Sequence, residues 1–122
     1  MTKAEALYGF WASFGLDAYE EGSVPEGAEF PYITYPLMAG DFGQEIPMTA
    51  DLWYRTTTLT EINDKTNEIA GRIGLGGVKL PCGRGHIHLY CGTPWAQLME
   101  DPDDDMIRRM HLNITARFNT VP

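Results

Sequence analysis

Met106-Ile107-Arg108-Arg109-Met110-His111-Leu112-Asn113-Ile114-Thr115-Ala116-Arg117-Phe118 is the stretch that decides the fold. Met106, Met110, Leu112, Ile114, Ala116 and Phe118 fall on one face, and Arg109, His111, Asn113, Thr115 and Arg117 on the other. Side chains of a strand alternate between its two faces, so this period of two predicts a long strand with one side on a core. The polar side is left for solvent or for another subunit.

Upstream, Leu59, Ile62, Thr66, Ile69 and Ile73 recur at alternating steps of three and four, the narrow stripe of a helix lying on a sheet. Thr58-Leu59-Thr60-Glu61 has capping-box spacing at its start, and Gly74 stands where a left-handed residue ends a helix. Val78–Leu80 and His86–Cys91 read as a hairpin around Pro81–Gly85, and Gly92–Asp105 as a loop. Met48–Thr57 is a further strand, with Met48, Leu52 and Tyr54 on one face and Thr49, Asp51, Trp53 and Arg55 on the other. Tyr32–Met38 is an extended run that must sit at an edge or break at Pro36, which cannot donate to a ladder. Thr2-Lys3-Ala4-Glu5 is another capping-box pattern, followed by a stripe of Leu7, Phe10, Trp11 and Phe14 that stops at Gly15. Asp17–Glu29 and Gly40–Pro47 read as surface loops.

The resulting order is α-β-β-α-β-β-β. It predicts an α+β fold of two layers, a mostly antiparallel sheet of about five strands with two helices on one face. The 122 residues suit one domain spanning 1–122.

Charge narrows the partners. Nine Lys and Arg against seventeen Asp and Glu leave a net charge of −8, and no basic stripe exists to neutralise phosphates. Tight nucleic-acid binding is therefore not expected, although an acidic surface lets DNA pass without holding it. No apolar run approaches the roughly 20 residues a membrane helix needs, and no export signal is visible, which points to a cytoplasm or to an assembly carried out of one. Cys82 and Cys91 are expected to be reduced, on neighbouring strands.

The search for reactive groups finds little. His86 and His88 share a strand face, and His111 could join them to hold zinc or iron if the strands pair, the basis for a small metal-dependent hydrolase. Two exposed histidines on alternate positions are the blander reading. Asp101-Pro102-Asp103-Asp104-Asp105 begins like a calcium loop but has Met106 and Leu112 where that loop needs Gly and Glu, so it reads as a solvated acidic turn. Gly74-Leu75-Gly76-Gly77 follows a helix instead of opening one, unlike a phosphate loop. Cys82 has no assignable base, and neither Ser13 nor Ser23 sits in a nucleophile elbow. Aromatic residues are in surplus: Trp11, Trp53, Trp95, Tyr8, Tyr19, Tyr54 and Phe42 suggest subunit contacts, or, for Trp53 and Trp95, covers for the sheet ends.

Taken in order, Phe30-Pro31-Tyr32-Ile33, Asp51-Leu52-Trp53-Tyr54, the Thr58-Leu59-Thr60-Glu61 helix with its Ala70-Gly71-Arg72-Ile73 end, and the Leu112–Phe118 strand resemble a family. The chain, from about Thr2 to Phe118, is similar to the tail terminator (tail-completion, head–tail joining) proteins of long-tailed bacteriophages and prophages. The resemblance implies a structural virion protein, not an enzyme and without a cofactor, assembled in the bacterial cytoplasm. It implies a ring, usually a hexamer, that sits on the last ring of the tail tube at its head-proximal end and stops polymerisation. Such a ring offers the surface for head–tail joining, so the implied partners are copies of itself, the major tail tube protein and head–tail connector proteins. DNA then passes through the opening. By analogy, the Gly40–Pro47 loop, with Phe42, Gln44 and Ile46, is a candidate contact with the tube or the adjacent subunit. The Trp95–Asp105 segment, with Trp95, Asp101 and Asp103, is a candidate for another ring contact or for lining the opening, and Trp53, from the aromatic surplus, is a further candidate oligomer or tube contact. The alternative within the same particle is a head-completion or stopper connector. His86 and His88 have no counterpart role in the family.

Overall fold

The computed structural model describes residues 1–122. Elements follow in the order α1 (Lys3–Ala12), β1 (Asp17–Glu20), β2 (Tyr32–Tyr35), β3 (Gln44–Arg55), α2 (Thr60–Ile73), β4 (Val78–Cys82), β5 (Gly85–Glu100) and β6 (Ile107–Asn119). Six strands form one sheet in the order β1-β2-β3-β6-β5-β4. All neighbours are antiparallel except β1 and β2. Helices plus a mostly antiparallel sheet make the fold α+β.

β6 is the spine. It pairs with β3 from Gln44↔Phe118 to Arg55↔Ile107, and on its other side with β5. Its predicted inner face holds: Met110, Leu112, Ile114, Ala116 and Phe118 are all buried. Opposite them lie the stripes of both helices, Leu7, Phe10, Trp11 and Phe14 from α1 with its following turn, and Ile62, Thr66, Ile69 and Ile73 from α2. The apolar residues join one core cluster. α2 lies across β3, β6 and β5, whereas α1 packs on both β1 and β4, the two edges of the sheet. The sheet must therefore curl, with α1 closing its open side. The helices meet where Lys65 Nζ donates to the Phe14 carbonyl (2.8 Å) and the Arg72 guanidinium lies over the Phe14 ring.

The architecture corrects the expected strand count and order. There are six strands and not five, because Asp17–Glu20, read as loop, is β1. Ala18 is its only buried side chain, so no alternation betrays it. β3 starts at Gln44 and runs through Pro47, read as loop. β2 covers β3 only at Asp51–Trp53, so at Pro47 the second edge of β3 is unpaired and the missing N–H leaves no ladder bond unmade. The expected Gly92–Asp105 loop is strand as far as Glu100, resuming at Ala96 after a bulge at Gly92–Trp95. β2 ends at Tyr35, one residue before Pro36.

At the helix ends, Thr2 and Glu5 form the reciprocal capping box. α1 stops earlier than expected, with Ser13 as its C-cap, and Gly15 takes a positive φ in the turn beyond. The second capping box does not form: Leu59 is the N-cap of α2 and no side chain caps it. Gly74 follows the last turn at φ 75°. Trp11 and Tyr54, counted in the aromatic surplus, belong to the core. Cys82 and Cys91 are free thiols on neighbouring strands, Cys82 buried and Cys91 half-buried, where burial raises its pKa.

Candidate functional site

Apart from Trp95, which lies beside the middle of the sheet, the residues nominated for contacts separate towards the two ends of β3. Gln44 pairs with Phe118 at one end and Trp53 with Arg109 near the other. Nine residues apart at about 3.3 Å each, they are separated by roughly 30 Å.

Near the second end, period two brings Tyr32 and Thr34 of β2, Asp51 and Trp53 of β3, and Arg109 and His111 of β6 onto the outer face. Asp51 is only 2% exposed although it points away from the core. Its Oδ1 accepts from Arg109 Nε at 3.0 Å and pairs with His111 Nδ1 at 2.9 Å. The Arg109 guanidinium lies 4.9 Å over the Trp53 ring. Trp53 Nε1 donates to Thr34 Oγ1 at 2.9 Å, and its ring stacks on Tyr32, which meets Phe30 and Tyr19. A buried carboxylate is tolerable only when paired and hydrogen-bonded, which these donors accomplish. Sequence reasoning missed this cluster because it depends on the β3–β6 register.

A cleft of about 120 Å³ adjoins it, lined by Trp53, Arg109, Glu100, Asp101 and Pro102. Trp53 and Asp101 thus come together, whereas Asp103 is exposed at the hairpin tip. Asp101 Oδ1 accepts the backbone N–H groups of Asp103 and Asp104, and Asp104 accepts from Met106 and Arg55. These carboxylates serve their own turn. Trp95 sits at the bulge, half-buried against the core, its indole N–H without an acceptor.

At the first end, Asp41–Gln44 forms a tight turn. The Gln44 N–H donates to the Asp41 carbonyl at 3.1 Å, and both central residues have positive φ, Phe42 at 55° and Gly43 at 79°. That is the pattern of a type I′ turn, which favours Asn-Gly and gives a bulky side chain no reason to be there. The turn is held firmly. Phe42 and Gly43 donate to the carbonyls of Thr120 and Phe118, and Gln44 Oε1 accepts from Asp41 N–H. Asp41 takes hydrogen bonds from Lys3 Nζ and Thr120 Oγ1, which hold its carboxyl below the usual range. Gly40 is buried, and a Cβ there would lie 2.8 Å from Ile46 Cδ1, the end of a side chain that would have to turn aside. Ile46 is half-buried and Gln44 exposed, but Phe42 itself is 75% exposed.

Phe42 therefore sits in a left-handed conformation that costs an L-residue about 1–2 kcal/mol, with little packing in the chain to offset it. Phe42→Asn should raise the stability of the isolated chain by about 1 kcal/mol, seen as a few degrees in Tm. An unchanged or lower Tm would show that the ring contributes to the fold.

The acidic groups at both ends give a pH dependence. Glu5 is lowered by its hydrogen bonds with the Thr2 backbone and side chain, Asp41 by Lys3 and Thr120, and Asp104 by the Met106 N–H and Arg55. Each is depressed in the folded state, so its contribution is complete above the unfolded value and disappears as pH falls through the folded one. Thermal melts should lose Tm on acidification below about pH 4.5, with a shallower loss in Asp41→Asn.

The histidines do not gather. His86 pairs across from Asn119 and His88 from Arg117, while His111 lies opposite Asp51 and Gln97 far along β6. His88 Nε2 bonds the Gly76 carbonyl (2.9 Å), Nδ1 bonds Tyr90 Oη (2.9 Å), and its ring stacks on Tyr90. His88 thus pins the α2–β4 loop, and no group of three ligating side chains occurs that could hold a metal ion. A cleft of about 380 Å³ between the chain termini contains Cys82, Lys3 and Arg84, but no carboxylate or imidazole side chain lines it to act as a base.

No family model matches the sequence, and no curated protein matches it. In fold the chain is similar to a chain of a solved structure described as the virion of native gene transfer agent (GTA) particle. The TM-score is 0.63 with 15% identity, over 93% of this chain and 89% of that one. At that identity the likeness is one of fold.

Proposed function

We propose that this chain, 1–122 acting as one domain, is a structural protein of a phage-type particle. It forms a ring that caps the tail tube, ends its polymerisation and provides the surface for head–tail joining. The observation that carries the reading is the fold likeness to a virion chain over nearly the whole length of both proteins. It agrees with the sequence resemblance to tail terminators. The reading makes the protein a hexameric ring whose partners are its own copies, the major tail tube protein and head–tail connector proteins. It resides at the head-proximal end of the tail after assembly in the bacterial cytoplasm.

The physical features suit that role. A closed ring requires two different patches on each subunit, and the chain has well-separated candidates at the two ends of β3. The net charge of −8 suits an opening through which DNA moves without being held. No turnover is part of the proposal, and His86, His88 and His111 bond to loops and neighbouring strands.

Particles made without the protein test the assignment. A terminator's loss leaves over-long tails. Tails of normal length with heads that leak DNA would reassign the chain as a stopper connector, and unaffected particles would remove it from the virion altogether.

A further inference from the structure

We infer that Phe42 is a knob that seats in an aromatic, carboxylate-rimmed cleft of the next copy of this chain. This rests on the reading of the protein as a ring-forming structural component and supplies the two unlike patches such a ring needs. The first observation is the contradiction at Phe42. A turn that favours Asn-Gly, pinned by two backbone bonds and by the Lys3–Asp41–Thr120 contacts, holds a phenyl ring out in solvent at 75% exposure. Where a local conformational rule is broken without gain inside the chain, the gain is expected at a functional contact. A rigid aromatic side chain is an effective anchor because little conformational freedom remains to be lost.

The second observation is a receptor. A cleft of about 390 Å³ opens between α1 and the β1 edge, lined by Tyr8, Ala18, Tyr19 and Tyr35 with the carboxylates Glu5 and Glu20 among them. Its lining is largely apolar, includes no cation, and leaves Tyr8 half exposed.

The third is charge. Arg84 lines the same hollow as Phe42 and is exposed with no ion-pair partner, and the exposed Arg117 guanidinium lies beside Gly43, with Glu45 across the ladder but no ion pair to it. Glu20 is likewise unpaired. A cationic rim around the knob and an anionic rim around the cleft select this pairing over knob against knob. The two patches differ, so the contact is heterologous and propagates around a ring.

The test measures the mass of the full chain in solution and on tail tubes by light scattering and electron microscopy. Phe42→Ala and Phe42→Asn should each weaken self-association about 30-fold or more, the loss typical of an anchor residue. The Asn variant does so while its monomer melts higher, which excludes misfolding. Arg84→Glu and Glu20→Arg should each weaken association on the order of tenfold. An equimolar mixture of these two should restore it, because reversed knobs then meet reversed clefts in alternation. Rings unaffected by the Phe42 variants, or no rescue in the mixture, overturn the inference and leave the ring proposal standing. Normal rings that no longer bind tubes would move the knob's receptor to the tube protein and also overturn it. A wild-type chain that never self-associates, in solution or on tubes, removes both.

Discussion

Phe118→Ala should destabilise the chain by about 3–5 kcal/mol, a large part of the roughly 5–15 kcal/mol available to a protein of this size. Phe118 is fully buried on β6, across from Gln44 on one side and Ile87 on the other. Both flanking strands lean on this one ring. Truncation removes its contacts and leaves a cavity that two hydrogen-bonded neighbours prevent from collapsing. The loss reaches the Asp41–Gln44 turn, because Gly43 donates to the Phe118 carbonyl and Phe42 to that of Thr120. Thermal melts should show a drop on the order of 10–20 °C. A drop of only two or three degrees would mean that β6 is not the spine described.

Asp51→Ala should cost about 2–3 kcal/mol, somewhat below the penalty for opening a fully buried ion pair. The carboxylate is 2% exposed, but the Arg109 and His111 side chains are 35% and 23% exposed and regain some water when it is lost. Asp51→Asn, which keeps the shape and one acceptor, should cost less. His111→Ala should cost least, since Arg109 still satisfies the acid. The three variants, melted under identical conditions, should rank in that order. Equal effects would show that packing and not the charge network decides. The network also ties β3 to β6 at Asp51↔His111 and Trp53↔Arg109, so a slip of one residue would bury Arg109 or His111 on the core side.

Wherever a residue's neighbours along the chain decide its environment, the sequence was readable. The alternation from Met110 to Phe118 located the spine, the steps of three and four from Leu59 to Ile73 located α2, and Thr2 with Glu5 located the start of α1. What was illegible depends on the third dimension. Ala18 alone carries the burial of β1, and its acidic neighbours look like loop. Pro47 is acceptable in β3 only because β2 is too short to reach it. Thr58 has the spacing of a cap, but the backbone turns one residue later. The candidate contact residues divide in the same way. Phe42 stands out in the sequence through the aromatic surplus and a resemblance, whereas its positive φ, which makes it physically conspicuous, cannot be read from Asp-Phe-Gly-Gln. Asp51 drew no notice because a carboxylate on the polar side of a strand is ordinary until Arg109 and His111 close over it.

Mixing the purified chain with tail tubes polymerised from a phage major tail protein tests the ring-on-tube reading most directly. Mass by light scattering and the tube ends by electron microscopy are then followed together. Rings should seat on one end of each tube, and tubes should stop lengthening once capped. A chain that stays monomeric at high concentration, leaves tube growth unchanged and decorates no ends would contradict that reading.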